Sequence, residues 1–145
     1  KLKSLVLLLS FVFTLSSCDL FKEPTLEEKL EGTWKVTSAV GPMNGQTVDI
    51  WALLSAFYPC VKEGTVSFSG GVFTSYIPAK CVDNTGESLN LFPTTGSFTV
   101  SEAGLLTITG DGLTYAGQIT FSDDKTVTFV VTEDGETFTF TFTKQ

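Results

Sequence analysis

From residue 126 to 144 the chain keeps a period of two almost without interruption. Val127, Phe129 and Val131 alternate with Thr126, Thr128 and Thr132; Asp134-Gly135 follows; then Phe138, Phe140 and Phe142 return between Thr137, Thr139, Thr141 and Thr143. A two-residue period places successive side chains on opposite faces, so each arm reads as a half-buried strand with its threonines toward water. Asp-Gly is the turn chemistry of an antiparallel hairpin. The same alternation predicts strands at 64–69, 72–77, 96–101, 105–109 and 114–121, separated by Ser69-Gly70-Gly71, Glu102-Ala103-Gly104, Gly110-Asp111-Gly112 and Asp123-Asp124. A first strand from Gly32 to Val40 presents Trp34, Val36, Ser38 and Val40 on one face. Eight strands joined mostly by short turns pair as an antiparallel meander, and closing the meander into an up-and-down barrel removes its edges. A two-sheet sandwich is the other arrangement that the pattern allows.

Two segments leave this period. Thr25-Leu26-Glu27-Glu28 is a capping box, which predicts a short N-terminal helix over about residues 25–31, stopped by Gly32. Between the first two strands, Ile50, Leu53, Leu54 and Phe57 fall at i, i+3, i+4 and i+7, behind Thr47 or Asp49 and ahead of Pro59. That spacing predicts a helix over 47–58 with those four residues as its buried stripe and Trp51, Ser55 and Tyr58 on its other side. Such a helix either belongs to the core or lies as a lid over the barrel mouth. One long connection, 78–95, carries Cys81 and an apolar patch, Leu89, Leu91 and Phe92, that either adds a strand or packs on the barrel.

The chemistry open to the chain is narrow. It has no His and no Arg, and its 9 Lys face 16 Asp and Glu, for a formal charge of −7. The commonest general base, the imidazole metal ligand and the bidentate phosphate fork are therefore all missing. The sign of the charge excludes gripping a nucleic acid. Most acids sit in turns or on the short helix rather than converging on a cleft, and Asp83-Asn84-Thr85-Gly86-Glu87 lacks the spacing of an EF-hand loop. The expectation is a protein with no catalytic residues, no metal and no cofactor.

At the N-terminus, Lys1 and Lys3 precede the apolar run Leu5–Phe13, too short to span a bilayer and shaped like an export signal. Leu15-Ser16-Ser17-Cys18 then resembles the bacterial lipobox. The resemblance implies cleavage before Cys18 and acyl chains on it; two or three chains hold a protein on a membrane stably. The expected organisation is a signal peptide, 1–17, a lipid-anchor tether, 18–24, and one domain, 25–145. Cleavage removes Lys1 and Lys3 and no acid, which takes the formal charge from −7 to −9. An Asp directly after the lipid Cys resembles an inner-membrane retention signal, whereas acids close behind it resemble a surface-export signal of Bacteroidota lipoproteins. With Cys18 acylated, Cys60 and Cys81 remain as an even pair in an oxidising compartment and are expected to form a disulfide.

Leu30-Glu31-Gly32-Thr33-Trp34-Lys35-Val36 resembles the Gly-x-Trp opening of lipocalins and fatty-acid-binding proteins. With Pro59-Cys60, Phe68 and Cys81 added, the domain is more specifically similar to the lipocalin-like domains of Bacteroidota lipoproteins. The resemblance implies an all-β, eight-stranded antiparallel barrel closed at one end by a short helix and the Trp, and it favours the outer membrane. It also implies a small hydrophobic ligand in the barrel, for which Trp34, Phe68, Phe73, Phe98, Tyr115, Phe121, Phe129 and Phe140 are the candidate contacts. Ser38, Ser75 and Gly117 are the small inward positions that would leave room. A barrel filled by its own phenylalanines would instead serve an envelope protein partner or a structural role. The chain departs from the lipocalin pattern in having no Arg near the end of its last strand to lie over the Trp, where Lys144 is the sole candidate, and no clear Asp-containing turn motif at 121–125.

Overall fold

In a computed structural model the described residues are 22–145. The export signal, Cys18 and most of the tether lie outside them. Helix α1 (Leu26–Leu30) leads into β1 (Gly32–Met43), β2 (Gln46–Asp49), α2 (Ile50–Phe57) and a 3-10 turn (Pro59–Glu63). Strands β3 (Thr65–Ser69), β4 (Val72–Tyr76), β5 (Thr95–Val100), β6 (Leu105–Gly110), β7 (Leu113–Asp123), β8 (Thr126–Glu133) and β9 (Glu136–Lys144) follow. All pairings between strands are antiparallel, in the order β2-β1-β3-β4-β5-β6-β7-β8-β9, and β1 also pairs with β9. The sheet therefore closes into an eight-stranded barrel with β2 as a ninth strand outside the circuit. Four tight hairpins carry two successive residues with positive φ, among them Asn44-Gly45, Asp111-Gly112 and Asp134-Gly135. Turns of that kind match the right-handed twist of the strands they join.

The closed end gathers α1 and the turns at 70–71, 102–104 and 123–125; the open end gathers the turns at 44–45, 111–112 and 134–135 together with the 77–94 loop. The capping box is present: the Thr25 amide donates to Glu28 Oε2 at 2.7 Å and the Glu28 amide donates to Thr25 Oγ1 at 3.2 Å. Hydrogen bonding to the carboxyl from the Thr25 amide, and then from the Thr25 side chain, holds Glu28 below its ordinary value.

The strand that departs from the sequence expectation is β1. It pairs with β3 over Gly32–Trp34, leaves it, and continues as the partner of β9, with a bulge between Val36 and Ser38. The extra residue inverts the alternation: Trp34 and Val36 face the core before it, but Ala39, 3 % exposed, and the buried Gly41 face it afterwards, in place of the expected Ser38 and Val40. The inversion has a steric basis. A Cβ on Gly41 would approach the Phe138 ring to 2.5 Å and Ile50 Cδ1 to 3.0 Å, so the inward position there must be bare.

Helix α2 also sits differently from its expected stripe. Residues 47–49, expected to begin the helix, instead join Gln46 in β2 against Val40–Met43, and α2 begins at Ile50 with Asp49 as cap, its Oδ1 accepting from the Ala52 amide at 2.8 Å. Ser55 is buried and Trp51 half-buried, whereas Leu53 and Phe57 are exposed, Phe57 at 78 %. Every residue of Ile50–Phe57 except Ser55 is apolar, so the helical period offers no polar face to set the rotation.

The core runs the length of the barrel through Trp34, Val66, Phe68, Phe73, Phe98, Leu106, Ile108, Ile119, Val127, Phe129, Val131 and Phe142, with Leu30 and Phe92 contributed from outside the strands. Gly117 is buried among them, and a Cβ there would fall on the Val130 carbonyl and within 2.8 Å of the Phe129 ring. Replacing Gly117 by Ala is expected to cost about 1–3 kcal/mol through overpacking, measured as a shift in the urea midpoint without a change in slope. Unchanged stability would show that the space beside Phe129 is not tight.

Candidate ligand site at the open end

The closed end is sealed from within. Gly32 has φ of +123°, and a Cβ there would come 2.9 Å from Lys144 Cε, so the bare backbone lets the lysine stem cross it. The ammonium then stands 5.1 Å from the centre of the Trp34 ring and donates to the Lys29 carbonyl at 3.3 Å. Trp34 is fully buried and its indole N–H donates to the Leu30 carbonyl at 2.7 Å. One cation, one indole and the end of α1 thus form a plug, and Lys144 takes the place that the sequence leaves without an arginine.

At the other end, the parting of β1 from β3 leaves a seam covered by α2 and the 3-10 turn. Behind it lies an apolar recess of about 30 Å³. Its apolar walls include Val36 of β1, Val66 of β3, Trp51 of α2, Val61 of the 3-10 turn, and Ile77, Leu89 and Phe92 of the long loop, while Thr65, Ser75 and Asn90 add polar groups to the lining. That space suits one water rather than a ligand of several hundred cubic ångströms. A wider hollow of about 420 Å³ opens at the closed end, but Glu23, Glu27, Lys29 and Glu102 border it, and an apolar molecule gains little there.

The loop has its own architecture. Cys60 in the 3-10 turn is bonded to the fully buried Cys81, with Cα atoms 5.6 Å apart, so the pair ties the two walls of the recess together. Beyond Cys81 the chain makes a small hairpin, with a bridge between Val82 and Ser88 and the Leu89 amide donating to the Cys81 carbonyl at 3.1 Å. Asp83 Oδ1 accepts from the Thr85 hydroxyl at 2.6 Å, the Thr85 amide at 2.7 Å and the Glu87 amide at 3.0 Å. The hydrogen bonds from Thr85, and then from Glu87, hold its carboxyl below the ordinary aspartate range. The segment then returns past β4, where the buried Ser75 hydroxyl donates to the Pro93 carbonyl at 2.8 Å and lies 3.1 Å from Asn90 Oδ1.

Phe92 is thereby turned into the barrel, where it is 7 % exposed. Its ring centre lies 6.3 Å from Phe73 on β4, 6.2 Å from Tyr115 on β7, and 5.3 and 5.8 Å from Phe140 and Phe142 on β9. Strands β4, β7 and β9 are three and two steps apart around the circuit, so a ring that meets all of them lies near the barrel axis.

The eight sequence-derived contact residues divide among three places. Trp34 and Phe121, 6.2 Å apart, belong to the closed end. Phe68 packs edge-on against Phe73 and Phe98 at 5.2 and 5.0 Å, and Phe129 lies against Phe140 at 6.4 Å. Phe73, Tyr115 and Phe140 surround Phe92, and none of the eight lines the recess. Of the expected small positions, Ser38 is turned out of the core by the bulge and Gly117 is filled by the Phe129 ring, whereas Ser75 does line the recess, its hydroxyl bound to the Pro93 carbonyl. Phe92 and Val61 lie outside the predicted strands, and Ile77 ends the one expected over 72–77. The signal for Phe92 is the apolar run Leu89-Asn90-Leu91-Phe92-Pro93 in an otherwise polar loop, which packs on the barrel rather than adding a strand.

The sequence profile of the lipocalin-like domain family matches residues 30–127, from the closed-end plug to β8. The chain belongs to this family. A lipocalin-like barrel is in general a ligand-binding architecture. Among solved structures the domain is similar to a redesigned beta barrel, at 19 % identity over 84 % of this chain and 99 % of that chain, with a TM-score of 0.45. No curated protein matches the chain.

Two outcomes follow from this geometry. Lys144→Ala should lower stability by about 0.5–2 kcal/mol, and Lys144→Arg should restore it or exceed it, since a guanidinium stacks better on an indole; equal stability of all three in urea would rule out the cation over Trp34 as a contributor. Because the carboxyl of Asp83 titrates lower in the folded loop than in an open chain, its hold on Thr85 and Glu87 is complete above the ordinary aspartate value and is lost as pH falls through the lowered one. The amide resonances of Thr85 and Glu87 should shift together over that acidic window; shifts centred at the ordinary value would contradict the hydrogen bonding.

Proposed function

We propose that this lipocalin-like domain is the folded part of an outer-membrane lipoprotein of the Bacteroidota kind, and that it binds a small apolar molecule at its open end without catalysing a reaction. The observation that carries the ligand reading is the convergence of apolar side chains from five different elements where β1 and β3 separate, beneath a helix and a disulfide-tied loop, around a recess that must widen to admit a guest. The barrel family supports it, and the absence of His and Arg from the chain supports a role other than catalysis. The membrane reading rests on the lipobox resemblance at Leu15–Cys18, which implies acyl chains on Cys18.

A second reading, a filled barrel that meets an envelope protein partner, is favoured by the rim of the same end. Met43, Leu53, Phe57, Tyr76 and Leu113 are each at least 43 % exposed there. Organic extraction of the unlipidated Cys18→Ser protein, purified from more than one host, separates the readings. A co-purifying apolar compound in about one-to-one ratio is the expected result, and its absence from every preparation would favour the protein-partner reading. In cells, Cys18→Ser should move the protein from the membrane to the soluble fraction; retention in the membrane would overturn the anchor.

A further inference from the structure

Among the described residues, Phe92 is the one member of the central apolar cluster contributed by a loop at the open end; the rest of that cluster comes from the strands and, at the closed end, from Leu30. Its ring has no strand neighbours fixing its backbone. Its segment is held at two ends: on one side by Ser75, whose hydroxyl donates to the Pro93 carbonyl and whose amide donates to the Thr94 carbonyl at 2.9 Å, with the Thr94 amide on Asp111 Oδ2, and on the other by a hairpin pinned at Cys81. The ring also forms one wall of the recess, so the small space and the ring position are continuous.

We propose that Phe92 is a resident occupant of the ligand position, and that the site takes a benzene-sized, uncharged aromatic group when the 82–94 strap swings the ring out. This deepens the apolar-ligand reading above and rests on it. The surroundings define the class. Phe73, Tyr115, Phe140 and Phe142 meet Phe92 edge-on or tilted, which is the arrangement an aromatic guest would inherit. No charged side chain is among them, so a guest bearing charge would lose its hydration without a partner. Emptying the ring position and joining it to the recess gives a chamber on the order of 150 Å³, the size at which an apolar cavity stays dry and takes up benzene.

The strap and the guest compete for one place, so apparent affinity is scaled by the fraction of molecules in which the ring is out. A minor state of roughly 0.1–10 % makes removal of the ring worth about 10-fold to 1000-fold in affinity. The Cys60–Cys81 bond limits how far the strap travels, so its reduction should raise the ring-out fraction.

The test titrates toluene into the Cys18→Ser protein and its Phe92→Ala variant, each with the disulfide intact and reduced, following amide resonances. Phe92→Ala is expected to bind at least 10-fold more tightly than the parent, and reduction to tighten the parent while leaving Phe92→Ala unchanged. Equal affinities for folded parent and variant would overturn the proposal. Should Phe92→Ala not fold, Ser75→Ala keeps the ring and removes its hydroxyl tie; tighter binding by this variant supports the proposal, and unaltered binding overturns it. In the parent saturated with toluene, hydrogen exchange at the Asp83 and Leu89 amides should accelerate; unchanged or slower exchange would mean that the ring stays in place. Toluene bound with Phe92 unmoved sinks the resident-occupant proposal and leaves the apolar-ligand reading standing, whereas extraction that yields no ligand sinks that reading independently.

Discussion

The division of β1 between two partners governs the molecule. Its first three residues close the barrel against β3, Trp34 to Val40 run with β9, and its last four hold β2. A strand that kept β3 throughout would leave no seam, and α2 would have nothing to cover. The bulge after Val36 allows the change, because it bends the strand, increases its twist and resets which side chains point inward. The recess, the place of α2 and the entry of Phe92 all follow from that one irregularity.

The strands were legible in the sequence because their period and turn chemistry agree. All eight barrel strands lie where alternation puts them, and the positive-φ pairs at Asp111-Gly112 and Asp134-Gly135 sit at the expected turns. The capping box was legible because it depends on residue type at short spacing, and the Cys60–Cys81 bond because these two remain as an even pair once Cys18 is set aside. What escaped the reading is local and needs tertiary context. A bulge has no fixed sequence signature, so the inward face after Val36 came out inverted. An almost wholly apolar helix carries no directional signal, so its packed face is decided by the groove it meets.

The candidate site was legible only in part. Aromatic residues on inward strand positions do form the core, as alternation requires, but alternation cannot say whether a barrel is filled by its walls or by something inserted from outside. That distinction belongs to the loop, where no period operates. The closed end shows the same limit from the other side: the sequence shows a missing arginine, and the fold answers with Lys144, whose stem needs the bare backbone of Gly32 to reach Trp34.

Helix α1 and the recess occupy opposite poles of the barrel, and the chain enters at the α1 pole. A strand such as β8, running from one pole to the other over Thr126–Glu133, spans roughly 20–25 Å. A domain held by its N-terminal side therefore directs its apolar rim away from the surface that holds it. On the proposed anchor at Cys18, guests would arrive across water or be handed over by another molecule rather than slide in from the bilayer, and such an orientation would suit exchange with partners beyond the membrane instead of extraction from the leaflet beneath.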